Sequence, residues 1–206
     1  MLGSWIAKLC ENIYYMPGIS RGKIEKGLYE SEAGVYKVND IVVYGKMGVC
    51  EITEITAPKD GGFPRNRLYY ILKPLHDSCT IYAPVDSKVH MRPVISADEA
   101  EQLIDMIPAL IAEAYDDSGT QDLVRHYEAV IDSHDCEAWL KLTMEINAKK
   151  QFLESRGRVF GQIDKKYMKQ AEELLFGEIA HAVGIPIETV PDFIAARVEQ
   201  LEQQSA

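Results

Sequence analysis

Residues 18–24 read Gly-Ile-Ser-Arg-Gly-Lys-Ile and resemble a phosphate-binding loop. In such a loop, backbone amides and a lysine hold the phosphates of a nucleotide, and a following Ser or Thr binds magnesium. Here the two glycines are one residue too close, Ile24 stands at the magnesium position, and no predicted strand precedes the segment. The segment therefore does not predict nucleotide binding.

A second segment, His134-Asp135-Cys136, places a thiol beside a potential general base. A catalytic pair must point its side chains at one another, and adjacent residues in a turn rarely do so. Helix capping by Asp135 explains the segment better, because Asp is a favoured N-cap residue. The chain also lacks a Gly-x-Ser-x-Gly elbow and a His-Glu-x-x-His motif. We therefore expect no enzyme activity and no cofactor; an enzyme relic that responds to a small molecule is the weakest alternative.

The four cysteines are widely scattered and form no Cys-x-x-Cys pair, which argues against a structural zinc site. The N-terminus lacks the apolar stretch of about 7–15 residues and the small-residue cleavage site that a signal peptide needs. No run approaches the ~20 apolar residues of a membrane span. We expect a reduced, cytoplasmic protein with no metal and no membrane partner.

The net charge of −10 argues against a generic nucleic-acid binder, which is normally basic. The charge is unevenly distributed, because residues 95–139 hold one basic and twelve acidic residues whereas residues 140–170 hold eight basic and three acidic residues. These eight cations, here named the basic island, are Lys141, Lys149, Lys150, Arg156, Arg158, Lys165, Lys166 and Lys169. On antiparallel helices the cations of residues 149–158 and 165–169 would converge at one end into a phosphate-facing patch with weak, salt-dependent binding. The alternative is ordinary solvated helix surface.

The chain divides into segments of different pattern. Residues 1–34 have weak periodicity and are interpreted as a poorly ordered leader or an over-extended start. Residues 35–94 alternate β-rich runs with Gly- and Pro-containing turns, which predicts a small SH3/Tudor-like bent β-sheet or barrel. After Ser96, a good N-cap, helical periodicity predicts an all-helical domain over residues 95–185 and a helical extension over residues 186–206. The fold class is therefore α+β.

Two predicted strands are rich in tyrosine. Tyr69 and Tyr70 are adjacent, and strand alternation sends them to opposite faces, so at least one is expected to be exposed. Ile81 and Tyr82 lie on the next strand, and an open edge there could accept a strand from another protein. The alternative is a small core with a rim of tyrosines.

Several segments, in order, resemble the CarD/CdnL family of bacterial transcription regulators. In the β-rich half they are Tyr36-Lys-Val-Asn-Asp-Ile-Val-Val-Tyr-Gly-Lys-Met-Gly-Val, Tyr69-Tyr-Ile-Leu-Lys-Pro, Thr80-Ile-Tyr-Ala-Pro-Val-Asp and Met91-Arg-Pro-Val. In the helical half they are Arg125-His-Tyr-Glu, Ser133-His-Asp, Asp164-Lys-Lys-Tyr-Met and Ala171-Glu-Glu-Leu-Leu-Phe-Gly-Glu-Ile-Ala. The resemblance extends over roughly residues 35–185, and its specificity comes from the ordered series rather than from any one motif.

The resemblance implies that the β module, also found in the transcription-repair coupling factor, docks on the β subunit of RNA polymerase. The helical domain would then lie against promoter DNA at the upstream edge of the opening bubble and stabilise the open complex, often at ribosomal RNA promoters. Such a protein reads no base sequence, because polymerase supplies its position. The alternative is an adaptor that binds polymerase or another partner without contacting DNA.

The chain departs from the family pattern at four positions. Leu123 stands where family members commonly carry a tryptophan wedge, and Glu128 replaces a basic residue. On the polymerase side Tyr82 and Pro58 each replace an arginine of the family, and Lys59 is adjacent to Pro58. Lys165, by contrast, matches the family's basic position in the last long helix.

These observations predict two sets of contacts. The predicted polymerase contacts are Lys59, Tyr69, Ile81 and Tyr82. The predicted DNA contacts are Leu123, Arg125, Lys149, Lys150, Arg156, Arg158, Lys165, Lys166 and Lys169. We expect a monomer whose partners are the polymerase β subunit and promoter DNA.

Overall fold

The computed structural model describes residues 36–58, 64, 67–110 and 119–204. The predicted leader, residues 1–34, and Lys59 lie outside the described residues. Among the residues that the structure describes, the β-rich part contains five strands, Ile41–Tyr44 (β1), Val49–Thr56 (β2), Tyr69–Pro74 (β3), Ile81–Pro84 (β4) and Met91–Pro93 (β5). Five α-helices follow them in the described residues: Ala97–Asp105 (α1), Thr120–Ile131 (α2), Cys136–Ser155 (α3), Gln162–Val183 (α4) and Val190–Gln204 (α5).

The strands form one antiparallel sheet in the order β4-β3-β2-β1-β5. Gly45 and Gly48 have φ angles of +48° and +72° in the turn between β1 and β2, a conformation that favours glycine. The register of β2 against β3 shifts between Ile52 and Glu54, and such a bulge increases the local twist of a sheet. The bent sheet followed by helices confirms the predicted α+β class.

The helix boundaries follow local sequence signals. Ser96 and Glu99 form a reciprocal capping box at the start of α1. Asp135 caps α3, because its side chain accepts hydrogen bonds from the backbone amides of Glu137 and Ala138. Gly184, in the left-handed conformation at φ +71°, ends α4. Each of these boundaries is readable from the sequence because it depends on neighbours within four positions.

The sheet contributes to two hydrophobic cores. Val42 points into a core inside the bent sheet, together with Ile52 and Leu72. Its neighbour Val43 points to the other face and belongs to the core of the helices, in which Trp139 is fully buried. Since successive strand residues alternate between faces, β1 joins the sheet to the helical region through side chains rather than through a linker alone.

The tail helix α5 is part of the same helical core. Val190, Ile194 and Val198 recur at helical spacing and are at most 2% exposed. Arg197 binds Asp105 of α1 with two hydrogen bonds of 2.7 and 2.8 Å. The tail, predicted from the sequence as a helical extension over residues 186–206, therefore packs into the core of the helical region.

In the part of the chain that the structure describes, no single helix is both long and apolar enough to cross a bilayer. Gln162–Val183 and Ile187–Gln204 reach the required length and composition only as a pair, and they meet at an angle of 103°.

Candidate functional site

The first candidate surface is the sheet edge formed by β4. Its residues alternate, because Ala83 is fully buried and Ile81 packs on the sheet core whereas Tyr82 points outward with 45% of its surface exposed. Within the described residues β4 pairs only with β3. An edge strand of this kind offers backbone donors and acceptors together with one exposed aromatic side chain.

The expectation that Tyr69 or Tyr70 would be exposed is wrong. Both are buried, at 4% and 3% exposure, because β3 lies inside the sheet between β2 and β4 and both of its faces are covered. Tyr70 packs edge-to-face with Tyr36 at 6.3 Å between ring centroids. Tyr69 lies beside Arg67, whose guanidinium is held by Asp86 at 2.7 Å. Of the described tyrosines on these two strands, Tyr82 is therefore the one that a partner can reach.

The opposite sheet edge, β5, is bound to the helical region. Arg92 forms a bidentate pair with Glu178 of α4, in which the guanidinium Nη1 donates to Oε1 and Nη2 donates to Oε2, the latter at 2.8 Å. The backbone amide of Ile95 donates to Glu178 Oε1 at 2.9 Å. Glu178 is fully buried. A buried carboxylate needs such compensation, and the pair fixes how the sheet sits on the helices.

The contact between β5 and the helices through Arg92 and Glu178 is here named the junction. The segment His134-Asp135-Cys136 belongs to it. The Cys136 thiol donates to Glu178 Oε2 at 2.8 Å, and burial raises its pKa far above the ordinary value. The His134 backbone carbonyl accepts from Arg92 Nε at 2.8 Å, and its ring stacks on His90 at 4.6 Å. The side chains are therefore engaged in packing and capping, and the thiol has Glu178 rather than a histidine as its partner.

The second candidate surface is the hairpin of α3 and α4. Its helices are antiparallel neighbours, because Lys149 near the end of α3 contacts Asp164 near the start of α4 at 3.0 Å. Asp164 also accepts a hydrogen bond of 2.8 Å from the Tyr127 hydroxyl of α2. Lys149 and Asp164 are only 18% and 7% exposed in their side chains. The expectation that Lys149 faces phosphate is therefore corrected: its charge is neutralised inside the helical region.

The other members of the basic island differ in their exposure to solvent and in their pairing with carboxylates. Arg156, Arg158, Lys165 and Lys166 are exposed. Lys169 is exposed but pairs with Glu173 at 3.5 Å. Lys150 is half-buried beside Glu172, and burial raises the pKa of Glu172 to about 7. The hairpin thus exposes fewer of these cations than the sequence count of eight predicted, because Lys149 and Lys150 are half-buried.

The predicted DNA contacts on α2 are not equivalent. Leu123 is 6% exposed and packs in the helical core, so its interpretation as a wedge is not supported by the structure. The reason is that Leu123, Tyr127 and Ile131 form the buried face of α2. Arg125 is exposed and pairs with Asp122 at 3.0 Å. Glu128 accepts a hydrogen bond of 3.0 Å from the Tyr167 hydroxyl.

Two exposed apolar residues that the sequence did not predict lie at the end of the hairpin where the chain connects α3 to α4, here named the closed end. Phe152 is 49% exposed and Val159 is 87% exposed. The Arg156 guanidinium lies over the Phe152 ring at 4.4 Å from its centroid. The sequence could have predicted the exposure of Phe152, because this residue lies off the apolar stripe of α3. Its contact with Arg156 follows from the i, i+4 spacing of the two residues.

The comparisons with known proteins concern the sheet. Residues 36–95 match the family described as the CarD-like/TRCF RID domain, an RNA-polymerase-interacting domain with a Tudor-like fold. The matched segment contains all five strands and ends before α1. No curated protein matches the chain. The resemblance noted in the sequence is therefore confirmed over the sheet, and the helices lie outside the matched residues.

Proposed function

We propose, from the premise that residues 36–95 are a CarD-like RNA-polymerase-interacting domain, that this protein is a transcription regulator that docks on the polymerase β subunit. From that position its helical region contacts promoter DNA through the phosphate backbone and stabilises the open complex. Ribosomal RNA promoters are the targets that the resemblance implies. The match of the sheet is the observation that carries the proposal.

The sheet geometry supports docking through β4. The β5 edge is occupied by its contacts with the helices, through Arg92, whereas the β4 edge carries the exposed Tyr82. Strand addition at an open edge supplies backbone hydrogen bonds, and exposed side chains supply specificity. Tyrosine is favoured at such positions because it combines a large apolar ring with a polar end.

The junction supports delivery of the helices to DNA. Arg92 lies in the matched segment and Glu178 lies in α4, so their buried pair transmits the orientation of the docked sheet to the hairpin. A tethered surface meets its second partner at a high effective concentration. Weak cationic contacts are therefore sufficient once polymerase holds the protein.

The charge distribution supports backbone contact. Arg158, Lys165 and Lys166 are exposed on or beside the α3–α4 hairpin. Each cation that neutralises a phosphate makes binding more salt-dependent, with a slope of roughly −0.9 per contact. Because the whole chain carries a net charge of −10, we expect binding to DNA alone to be weak and measurable only at low salt, and the contribution to be larger beside polymerase.

Docking is tested with the full-length protein and the purified polymerase β subunit from the same organism. Tyr82→Asp places a charge at the β4 edge and is expected to reduce binding at least tenfold. Met47→Asp is the matched control, because Met47 is 43% exposed but lies in the β1–β2 turn, two strands away from β4 in the sheet. Equal binding by both variants would contradict docking through β4, and failure of the wild type to bind would contradict the proposed function.

The adaptor alternative has one specific observation in its favour, which is the neutralisation of Lys149 by Asp164. The two functions differ in whether DNA is needed. Both functions predict normal polymerase binding when the exposed hairpin cations are reversed, but an adaptor would leave the open-complex lifetime unchanged even in its wild-type form.

A further inference from the structure

We propose that the closed end of the α3–α4 hairpin binds an unstacked nucleic-acid base, so that the protein prefers DNA with a single-stranded patch over fully paired duplex. The site consists of Phe152, Arg156, Arg158 and Val159, here named the hairpin tip. This inference rests on the proposed function and adds a ligand class and a site to it.

Backbone hydrogen bonds and one buried side chain fix the conformation of the hairpin tip. The backbone amide of Arg158 donates to the Leu153 carbonyl at 2.8 Å, and that of Gly157 donates to the Glu154 carbonyl at 3.0 Å. Gly157 has φ +65°, which suits glycine at the end of a helix. Phe160 is 9% exposed and anchors the loop in the helical core. Its neighbour Val159 is held outward as a consequence.

The apolar exposure of the hairpin tip is unusual for the described helical residues. Every other large hydrophobic side chain that is prominently exposed in the described chain lies in the β-rich part: Val38, Met47, Leu75, Tyr82 and Val89. Leaving Phe152 and Val159 in water gives up stabilisation by burial. An exposed aromatic ring near the end of α3 and an exposed aliphatic side chain in the following connection therefore indicate a surface that a partner covers.

The positive charges in and near the hairpin tip indicate which kind of partner it would bind. Arg156 covers Phe152 from one side, and Arg158 and Lys165 are exposed nearby in sequence. The acidic residue of this turn, Glu154, is two positions from both Phe152 and Arg156, and residues at that spacing do not share a helix face. A guanidinium over an aromatic ring next to further cations suits a ligand that is both planar and anionic.

An unstacked base on a phosphate backbone has both properties. Proteins that bind single strands combine a cationic surface with aromatic side chains, and each stacked base contributes about 1–3 kcal/mol. In intact duplex the base faces are stacked on one another, so Phe152 would gain little there. The hairpin tip is distinct from the wedge position that the resemblance implied, because Leu123 of that position is buried in the core.

The test compares two DNA probes of equal length, one fully paired and one with a short unpaired bubble, by fluorescence anisotropy at low salt. The wild type is expected to bind the bubble at least fivefold more tightly. Phe152→Ala should abolish that preference and leave duplex affinity unchanged, whereas Arg158→Glu should weaken both. Leu75→Ala is the control, since Leu75 is 41% exposed in the β-rich part.

The outcomes separate this inference from the proposed function. Equal wild-type affinity for the two probes, or a bubble preference that survives in Phe152→Ala, would overturn base binding while leaving duplex contact intact. Failure to bind either probe would overturn base binding and would also remove the support for direct DNA contact. Binding to the polymerase β subunit, measured separately, stays unaffected by Phe152→Ala in every case.

Discussion

Arg92 Nη2 donates to Glu178 Oε2 at 2.8 Å, which joins the last strand of the sheet to a helical residue 86 positions later. The same carboxylate also accepts from the Ile95 amide and from the Cys136 thiol. Three donor groups from two segments, residues 92–95 and Cys136, therefore converge on one buried charge. This convergence fixes the sheet against the helices, and in the proposed function it is what would couple polymerase docking to DNA contact.

Replacing Glu178 with Gln is expected to destabilise the protein strongly. The substitution leaves the Arg92 guanidinium without its anionic partner, and breaking a buried ion pair in this way costs about 3–5 kcal/mol. The free energy of unfolding is measured by urea denaturation. Arg67→Gln is the control, because its pair with Asp86 is exposed at 42% and 70% and solvent-screened pairs of this kind contribute little to stability. Similar losses in both variants would show that the junction carries no special stability.

Lys149 and Lys165 are expected to behave differently although both belong to the basic island. Lys149→Ala removes the partner of Asp164 and should lower the free energy of unfolding without changing the salt dependence of DNA binding. Lys165→Ala should leave stability within about 0.5 kcal/mol and reduce the salt slope by about 1. Urea denaturation and binding titrations at several salt concentrations measure the two effects. A salt slope that falls in Lys149→Ala and stays unchanged in Lys165→Ala would instead place Lys149 on the DNA-facing surface.

Leu123 is expected to act as a core residue. Leu123→Ala should cost about 2–5 kcal/mol, which is typical for such a truncation in a packed core. Leu123→Met conserves volume and should cost less than about 1.5 kcal/mol. Thermal or urea unfolding measures both. If Leu123→Ala proved nearly as stable as the wild type but shortened the open complex, Leu123 would be a DNA contact after all.

Glu172 is expected to make stability fall as pH rises. Burial raises its pKa to about 7 in the folded protein, above the ordinary value of 4.5. Between these two pKa values the folded state binds more protons than the unfolded state, so the free energy of unfolding decreases from about pH 4.5 to about pH 7. Glu172→Gln should therefore be more stable than the wild type at pH 8 and similar to it at pH 4.5. Urea denaturation at both pH values tests this, with Glu154→Gln as the control because Glu154 is exposed, and an equal difference between Glu172→Gln and the wild type at the two pH values would refute it.

The sequence predicted the features that depend on nearby residues. The β-rich runs, the cap at Ser96 and the buried face of α3 at Trp139 follow from local propensity and periodicity. It did not predict the pairing of Lys149 with Asp164, because that contact depends on the rotation of one helix against another. The burial of Tyr69 was missed for a similar reason, since strand order decides whether both faces of a strand are covered.

The most direct test of the proposed function is the lifetime of the promoter open complex, measured with polymerase holoenzyme after challenge with a competitor. Wild-type protein is expected to lengthen the lifetime severalfold. The double variant Arg158→Glu/Lys165→Glu should bind polymerase normally and fail to lengthen it, because both exposed cations are reversed. Full stabilisation by this variant, or no effect of the wild type, would contradict the delivery of the helical region to promoter DNA.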